Sequence, residues 1–380
     1  MVRKSTVLSQ RVGRIEPSGI RRIFELMASM EDPINLSIGQ AHYEPSEELV
    51  DAACRALREG HHRYTVTQGL PELNERLLDG LARQHGCRPE SSLLTSGVSG
   101  GLMLSFLVLL DPGDEILLPD PYFTMYSALA SVLGVVPKFY STYPDAHGER
   151  FRLNADELES LVTDRTRVMF LNSPSNPTGA VWSESELQAA CKVANRHGLV
   201  VLSDEIYDFF AYDGAYQSPV NAADRCVQLR GFSKTWAIPG WRMGYAAGPS
   251  EIIDAMRTVQ QFSFVCAPAP FQYAVLEAAF DVDLQPHWHS YKQKRDRLTA
   301  ALDPRYGLAA PEGSFFAFPE LPGGCSSDEF VPRALEHRLL IVPGKAFSQR
   351  DTHFRLSFAV DDDVLERGIK VLNELAAECP

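Results

Sequence analysis

The stretch TRVMFLNSPSNPTGAVWSESELQAACKVANRHGLVVLSDEIYD, residues 166–208, decides the fold. TRVMFLN (166–172) and LVVLSDE (199–205) are short apolar runs bounded by turn residues, and the segment from 183 to 197 between them has helical periodicity. Strand, helix, strand in that order is a βαβ unit, so the two strands run parallel and helices cover their sheet. The same rhythm extends outward. EILLP (115–119), a helix over 124–133 and VVPKFY (135–140) precede it, and RCVQLRGFS (225–233) follows. The middle of the chain is therefore expected to be an α/β unit with a mostly parallel central sheet and helices on both faces. From about residue 284 the character changes. HWHSYKQKRDRLTAAL reads as a long polar helix, and FFAFPEL, LLIVPG and FRLSFAV read as strands of a smaller α+β unit. The expected division is 46–283 for the large unit, with 1–45 and 284–380 forming the small one.

Composition narrows the function. The 380 residues are 45% apolar and 22% charged, which describes an ordinary globular protein. A formal net charge of −13 offers no basic face to nucleic acid or an anionic membrane, so a small-molecule substrate is expected. Seven scattered cysteines, with no CxxC pair and no His/Cys cluster at metal spacing, predict reduced thiols in a cytoplasmic protein and no metal site. The basic N-terminus has no apolar run of signal-peptide type, and LMLSFLVLL (102–110) is too short to cross a bilayer.

Four segments carry chemistry. SGVSGGL (96–102) opens a helix whose first amides and dipole favour an anion. SPSNPTG (173–179) is a turn stiffened by two prolines that fixes Asn176. SDEIYD (203–208) places Asp204 at the end of a buried strand with Tyr207 three residues on. GFSKTWAIPGWRMGY (231–245) supplies Ser233, Lys234 and Arg242. Singly, each has a bland reading: a strand-end cap, a solvated lysine, a tight turn, a surface loop. Together they fall at the carboxyl ends of successive strands, where ligands bind in open α/β sheets. One pocket would then hold an anion site, a carboxylate, an amide, a phenol and an amine.

With these motifs, and a late RLSFA, the chain resembles the class I/II aminotransferase family, fold-type I enzymes dependent on pyridoxal phosphate (PLP) within the aspartate aminotransferase superfamily. The resemblance runs from about Leu36 to Arg355. It implies that Lys234 holds the cofactor as a Schiff base and shuttles a proton, that Asp204 keeps the pyridine nitrogen protonated, and that Asn176 and Tyr207 tune the ring's phenolic oxygen. It also implies a phosphate site from the amides of Val98 and Ser99, the Ser233 hydroxyl and the Arg242 guanidinium. In PDPYFTMY (119–126) the stacking aromatic would be Phe123, with Tyr122 as competitor. Arg355, a charge on a strand-like segment, would grip the substrate carboxylate, approached also by the backbone of Gly39. Tyr64 would reach the phosphate of a second subunit, which implies a homodimer with shared sites. Some bacterial aspartate aminotransferases carry a lysine in the loop matching SGVSGGL where this chain has Ser99, so a neutral donor with 2-oxoglutarate or pyruvate as acceptor is expected. A cystathionine β-lyase-like C–S lyase of the same fold would share every cofactor residue. A PLP-binding regulator is the remote alternative.

Overall fold

Why the chemistry collects at one edge follows from how the central strands are ordered. The protein is described by a computed structural model covering residues 9–15, 30–214 and 216–378. After a short first strand, β1 (Ile34–Asn35), the central sheet is made by β2 (Ser91–Ser96), β3 (Glu115–Asp120), β4 (Val136–Ser141), β5 (Thr166–Asn172), β6 (Val200–Asp204), β7 (Cys226–Gly231) and β8 (Met243–Gly248). Their spatial order is β2-β8-β7-β6-β5-β3-β4. Neighbours from β7 to β4 pair in parallel, while β8 is antiparallel to both β7 and β2. The α/β reading of the sequence is thus met, with one strand reversed.

Alternate side chains of each strand feed two different cores. Leu117, Met169, Leu171 and Val201 face one apolar cluster, to which the helix Glu184–Arg196 adds Leu187, Ala190, Cys191 and Ala194. That helix begins where the sequence asks, because Ser183 and Glu186 close a capping box around its first turn. Ile116, Leu118, Val168, Phe170 and Leu202 face the opposite cluster, covered by the helices Gly97–Leu109, Thr124–Leu133 and Ser250–Gln261. The helix Gly97–Leu109 is apolar nearly all round, as a helix buried within a layered core must be. Among the described residues no helix is long and apolar enough to cross a membrane.

The strands expected after residue 284 form, but they are short: β9 (Phe316–Ala317), β10 (Leu339–Leu340), β11 (Val342–Pro343) and β12 (Phe354–Ser357). β12 lies between β11 and β9 in an antiparallel trio, and β10 pairs in parallel with β1. Ile34 and Leu36 join the core of this region with Tyr291, Phe330, Phe354 and Leu372. Val12–Arg14 pack elsewhere than expected. They lie against the helix Thr124–Leu133 of the larger region, where the Arg14 guanidinium approaches Gly134.

β8 was not expected as a strand, and its reversal shapes the edge. The parallel strands present their carboxyl ends there, and β8 presents its start, so Arg242 and Met243 arrive beside Ser96 and Gly231. Gly244 permits the approach. A Cβ on Gly244 would stand 2.6 Å from the Gly97 carbonyl carbon and 2.7 Å from the Val98 nitrogen, both backbone atoms that cannot swing away. Gly97, at φ +64°, turns the chain from β2 into its helix in a conformation that favours glycine. Gly244→Ala is therefore expected to lower unfolding stability by about 1–3 kcal/mol through backbone overpacking, measured by denaturant titration. A loss below about 0.5 kcal/mol would show that this contact carries no constraint.

Candidate active site

A cavity of about 280 Å³ opens at this edge. Its lining includes Gly39, Val98, Ser99, Phe123, Asn176, Asp204, Tyr207, Ser233, Lys234, Arg242 and Arg355, which is every residue singled out from the sequence except Tyr64 and the competitor Tyr122. Tyr64 lies outside the cavity and is 80% exposed.

Lys234 stands in a single helical turn after β7, closed by the Trp236 amide donating to the Phe232 carbonyl. Its Nζ donates to the Gly39 carbonyl at 2.8 Å. Burial lowers the amine to about 8, reinforced by the Arg355 and Arg242 guanidiniums and opposed by Asp204. Asp204 ends β6 and is 3% exposed. One of its oxygens accepts from the Tyr126 hydroxyl at 2.7 Å and the other from the Ile206 amide at 3.2 Å. Burial pushes this carboxyl up to about 6, against those hydrogen bonds and the nearby Lys234.

The turn after β5 is held from within. The Asn172 side chain accepts from the Asn176 amide at 3.0 Å and donates to the Asp204 carbonyl at 3.0 Å, which locks the loop to β6. Asn176 Oδ1 accepts from Arg355 Nη1 at 3.1 Å. Burial raises the Tyr207 phenol, with Arg355 and Asn176 acting the other way.

Arg355 sits on β12, 2% exposed, with the Phe316 and Phe347 rings 4.4 and 4.6 Å from its guanidinium carbon. Its Nη2 donates to the Ser37 carbonyl at 2.8 Å, and its buried Nε has no partner. Burial brings the guanidinium down to about 10. Arg242 likewise donates to carbonyls, those of Pro239 at 3.0 Å and Ser96 at 3.4 Å, from a left-handed backbone at φ 56°. Among the described residues neither arginine hydrogen-bonds to a carboxylate. Beside Arg242 the first turn of Gly97–Leu109 leaves the amides of Val98 and Ser99 without helical acceptors.

The structure separates Phe123 from Tyr122. Phe123 lines the cavity, while Tyr122 is buried against Phe139 at 4.9 Å and accepts from the Gln349 side chain. It also brings in Tyr126 and Phe316, which the sequence reading passed over. Tyr126 falls three residues after Phe123 at the start of a helix, so i, i+3 spacing could have placed it on the same side. No local pattern marks Phe316.

The arrangement has a chemical sense. Three cationic side chains face one cavity and take their hydrogen bonds from carbonyls or an amide, so the site favours an anionic guest with at least two charged groups. An amine brought to about 8 can act as nucleophile and base near neutral pH. The donor set fits PLP: free helix amides, the Ser233 hydroxyl and Arg242 for a phosphate, a buried carboxylate for a ring N–H, and an amine for an aldehyde.

Comparison with known proteins agrees with this geometry. The family profile described as aminotransferase class I and II matches residues 31–372. A probable aspartate aminotransferase of Methanocaldococcus jannaschii is 33% identical over 97% of this chain and all of its own length. An aromatic-amino-acid aminotransferase of Thermococcus litoralis is 31% identical over 98% of each chain. The crystal structure of the aspartate aminotransferase of Rhizobium meliloti superposes with a TM-score of 0.91 at 30% identity, covering 98% of this chain and 99% of that one.

Asp204 gives a test that needs no substrate. Its folded-state pKa lies above the ordinary carboxyl value, so the group costs nothing while protonated and its ionisation costs stability as pH rises through about 6. Asp204→Asn is expected to stabilise the ligand-free protein at pH 7–8 by on the order of 1–3 kcal/mol. The gain should fade as pH is lowered through 6 toward 4. Denaturant midpoints across that range measure it, and a destabilised variant at pH 8 would contradict the assigned cause.

Proposed function

The chain belongs to the class I and II aminotransferases, PLP-dependent enzymes that move an amino group from an amino acid to a 2-oxoacid, and from that premise we propose how its residues divide the work. When bound, PLP supplies an aldehyde and an electron-accepting ring. Lys234 would hold the cofactor through its Nζ, and the same amine would carry a proton to and from the substrate α-carbon. Its low pKa supports both roles. Asp204, oriented by Tyr126 and the Ile206 amide, would hold the ring N–H. Asn176 and Tyr207 would serve the phenolic oxygen, and Phe123 the ring face. Val98, Ser99, Ser233 and Arg242 would hold the phosphate.

Arg355 binds the substrate α-carboxylate. The single observation that carries this reading is the buried Arg355 Nε without a partner, on a guanidinium whose orientation is already fixed by Asn176 Oδ1, the Ser37 carbonyl and two rings. Gly39 lines the same cavity and lets the Phe316 ring pack against its backbone, since a Cβ there would stand 2.9 Å from that ring.

Three coarser points belong to the same proposal. The large unit is 46–283, and 1–45 with 284–380 form the small one, save that Val12–Arg14 lie against the large unit's helix Thr124–Leu133. The enzyme is a cytoplasmic homodimer in which Tyr64 reaches the partner's phosphate site. Tyr64, Val66 and Phe262 are exposed, and the Tyr64 segment is tied to the Phe262 region where the Gln260 and Gln272 side chains donate to the Thr67 carbonyl and the Thr65 hydroxyl. The relatives named above act on aspartate or aromatic amino acids by their names. Ser99, in place of a lysine, supports a neutral donor here, with 2-oxoglutarate or pyruvate as acceptor.

Two measurements test this. Enzyme given an amino donor and no oxoacid should release one oxoacid per site and no ammonia, then stop until 2-oxoglutarate or pyruvate is added. Continuous ammonia release without an acceptor would assign a lyase instead. Arg355→Ala should retain the cofactor yet lose about 2–5 kcal/mol in kcat/KM for every amino acid and oxoacid. Equal loss with amines that lack a carboxylate would remove Arg355 from the substrate site.

A further inference from the structure

The span from Leu36 to Tyr43 crosses the mouth of the cavity, and its two ends are tied differently. At its start the Leu36 amide donates to the Leu340 carbonyl at 3.0 Å, and the Leu36 carbonyl accepts from the Ser357 amide at 2.7 Å, so this end is part of the small sheet region. At its far end the Tyr43 hydroxyl is shared between the carbonyls of Thr235, at 2.8 Å, and Lys234, at 3.2 Å. Between these ties Ile38, Gly39 and Gln40 line the cavity, Ser37 accepts from Arg355, and Gly39 accepts from Lys234 Nζ. The two segments thus exchange hydrogen bonds in opposite directions: the lysine side chain holds the Gly39 backbone, and the tyrosine side chain holds the lysine backbone.

The two ties differ in permanence. An amine that gives its nitrogen to a cofactor aldehyde surrenders the N–H groups it offers Gly39, whereas the backbone carbonyls of Lys234 and Thr235 are untouched by that chemistry. The Tyr43 ring is itself set in place, stacked on the His287 ring at 3.6 Å between centroids and 7° between planes. We propose that the Tyr43 hydroxyl is a positioning group that clasps the 36–43 span to the lysine turn in every state of Lys234, and so holds the 38–40 backbone against the cavity beside the Ser37 carbonyl that fixes Arg355 for the substrate carboxylate. The inference rests on the assignment of Lys234 as the cofactor lysine and names a residue that touches neither cofactor nor substrate.

Tyr43→Phe removes the hydroxyl and keeps the ring on its His287 platform, so folding is not at issue. Losing one such hydrogen bond should raise KM about three- to tenfold for donors and acceptors alike, with kcat within about twofold of wild type, because the reacting groups stay in place. A second readout needs no turnover. In the full chain stripped of cofactor, the loosened span should release Nζ from Gly39, and Lys234 should be acetylated by acetic anhydride at least about twofold faster than in wild type, scored by mass spectrometry of its peptide. KM within twofold of wild type, or an unchanged acetylation rate, would overturn the clasp. Borohydride fixation of the cofactor on Lys234 in both proteins keeps such a failure distinct from a failure of the lysine assignment itself.

Discussion

Three cations face one cavity with no carboxylate partner among the described residues, and much of the local structure exists to hold them there. Lys234, Arg242 and Arg355 come from three elements distant in sequence, and Coulomb repulsion alone would drive them apart in a medium of low dielectric. They are held by carbonyls and an amide, acceptors that orient a donor without neutralising it. Burial depresses Lys234 and the two guanidiniums add to it, and their field is what an anionic cofactor and a carboxylate substrate relieve. The apolar walls around Asp204 act in the other direction, raising the one carboxylate the site contains. Amine and carboxyl are thereby brought toward each other in pKa by burial acting with opposite sign on opposite charges.

The reversed strand β8 supplies the geometry that this electrostatics needs. A parallel strand in its place would present its far end at this edge and carry Arg242 to the wrong side of the sheet. Reversal puts the arginine beside the first turn of Gly97–Leu109, and Gly244 lets the two backbones touch. The left-handed backbone of Arg242, worth roughly 1–2 kcal/mol of strain in a residue with a Cβ, is tolerated where the Gly97 amide bonds to its carbonyl at 2.9 Å.

Much of this was legible in the sequence, and the gaps have physical causes. The buried parallel strands β3, β5 and β6 announce themselves as near-continuous apolar runs, and capping and periodicity mark the helix that follows β5. β8, reading MGYAAG, is built of residues with little strand preference, because close backbone contact there excludes larger side chains, so the constraint that makes it important also hides it. β2 has only two apolar residues, Leu93 and Leu94, between serines and a threonine and runs directly into the helix at Gly97, so no apolar run marks it. The small strands β9 to β12 were visible as apolar runs but pair over two to four residues, since their burial comes from the cluster around Phe316 and Phe354 rather than from long ladders. At the site, the residues named from motifs line one cavity, and of the two competing aromatics Phe123 is the one that lines it. Tyr126 and Tyr43 were missed because their role lies in a hydroxyl reaching another segment, which no local spacing records.

The unshared Nε of Arg355 also bears on the solvent around the protein. A buried guanidinium with an unpartnered Nε and aromatic walls is a receptor for small planar anions, acetate and formate included. In a carboxylate buffer the ligand-free protein would carry a tenant from its surroundings, held by the same atoms that await a substrate. The ionic make-up of the medium thus becomes a competing ligand, and the apparent affinity for an amino acid is a property of the solution as much as of the pocket.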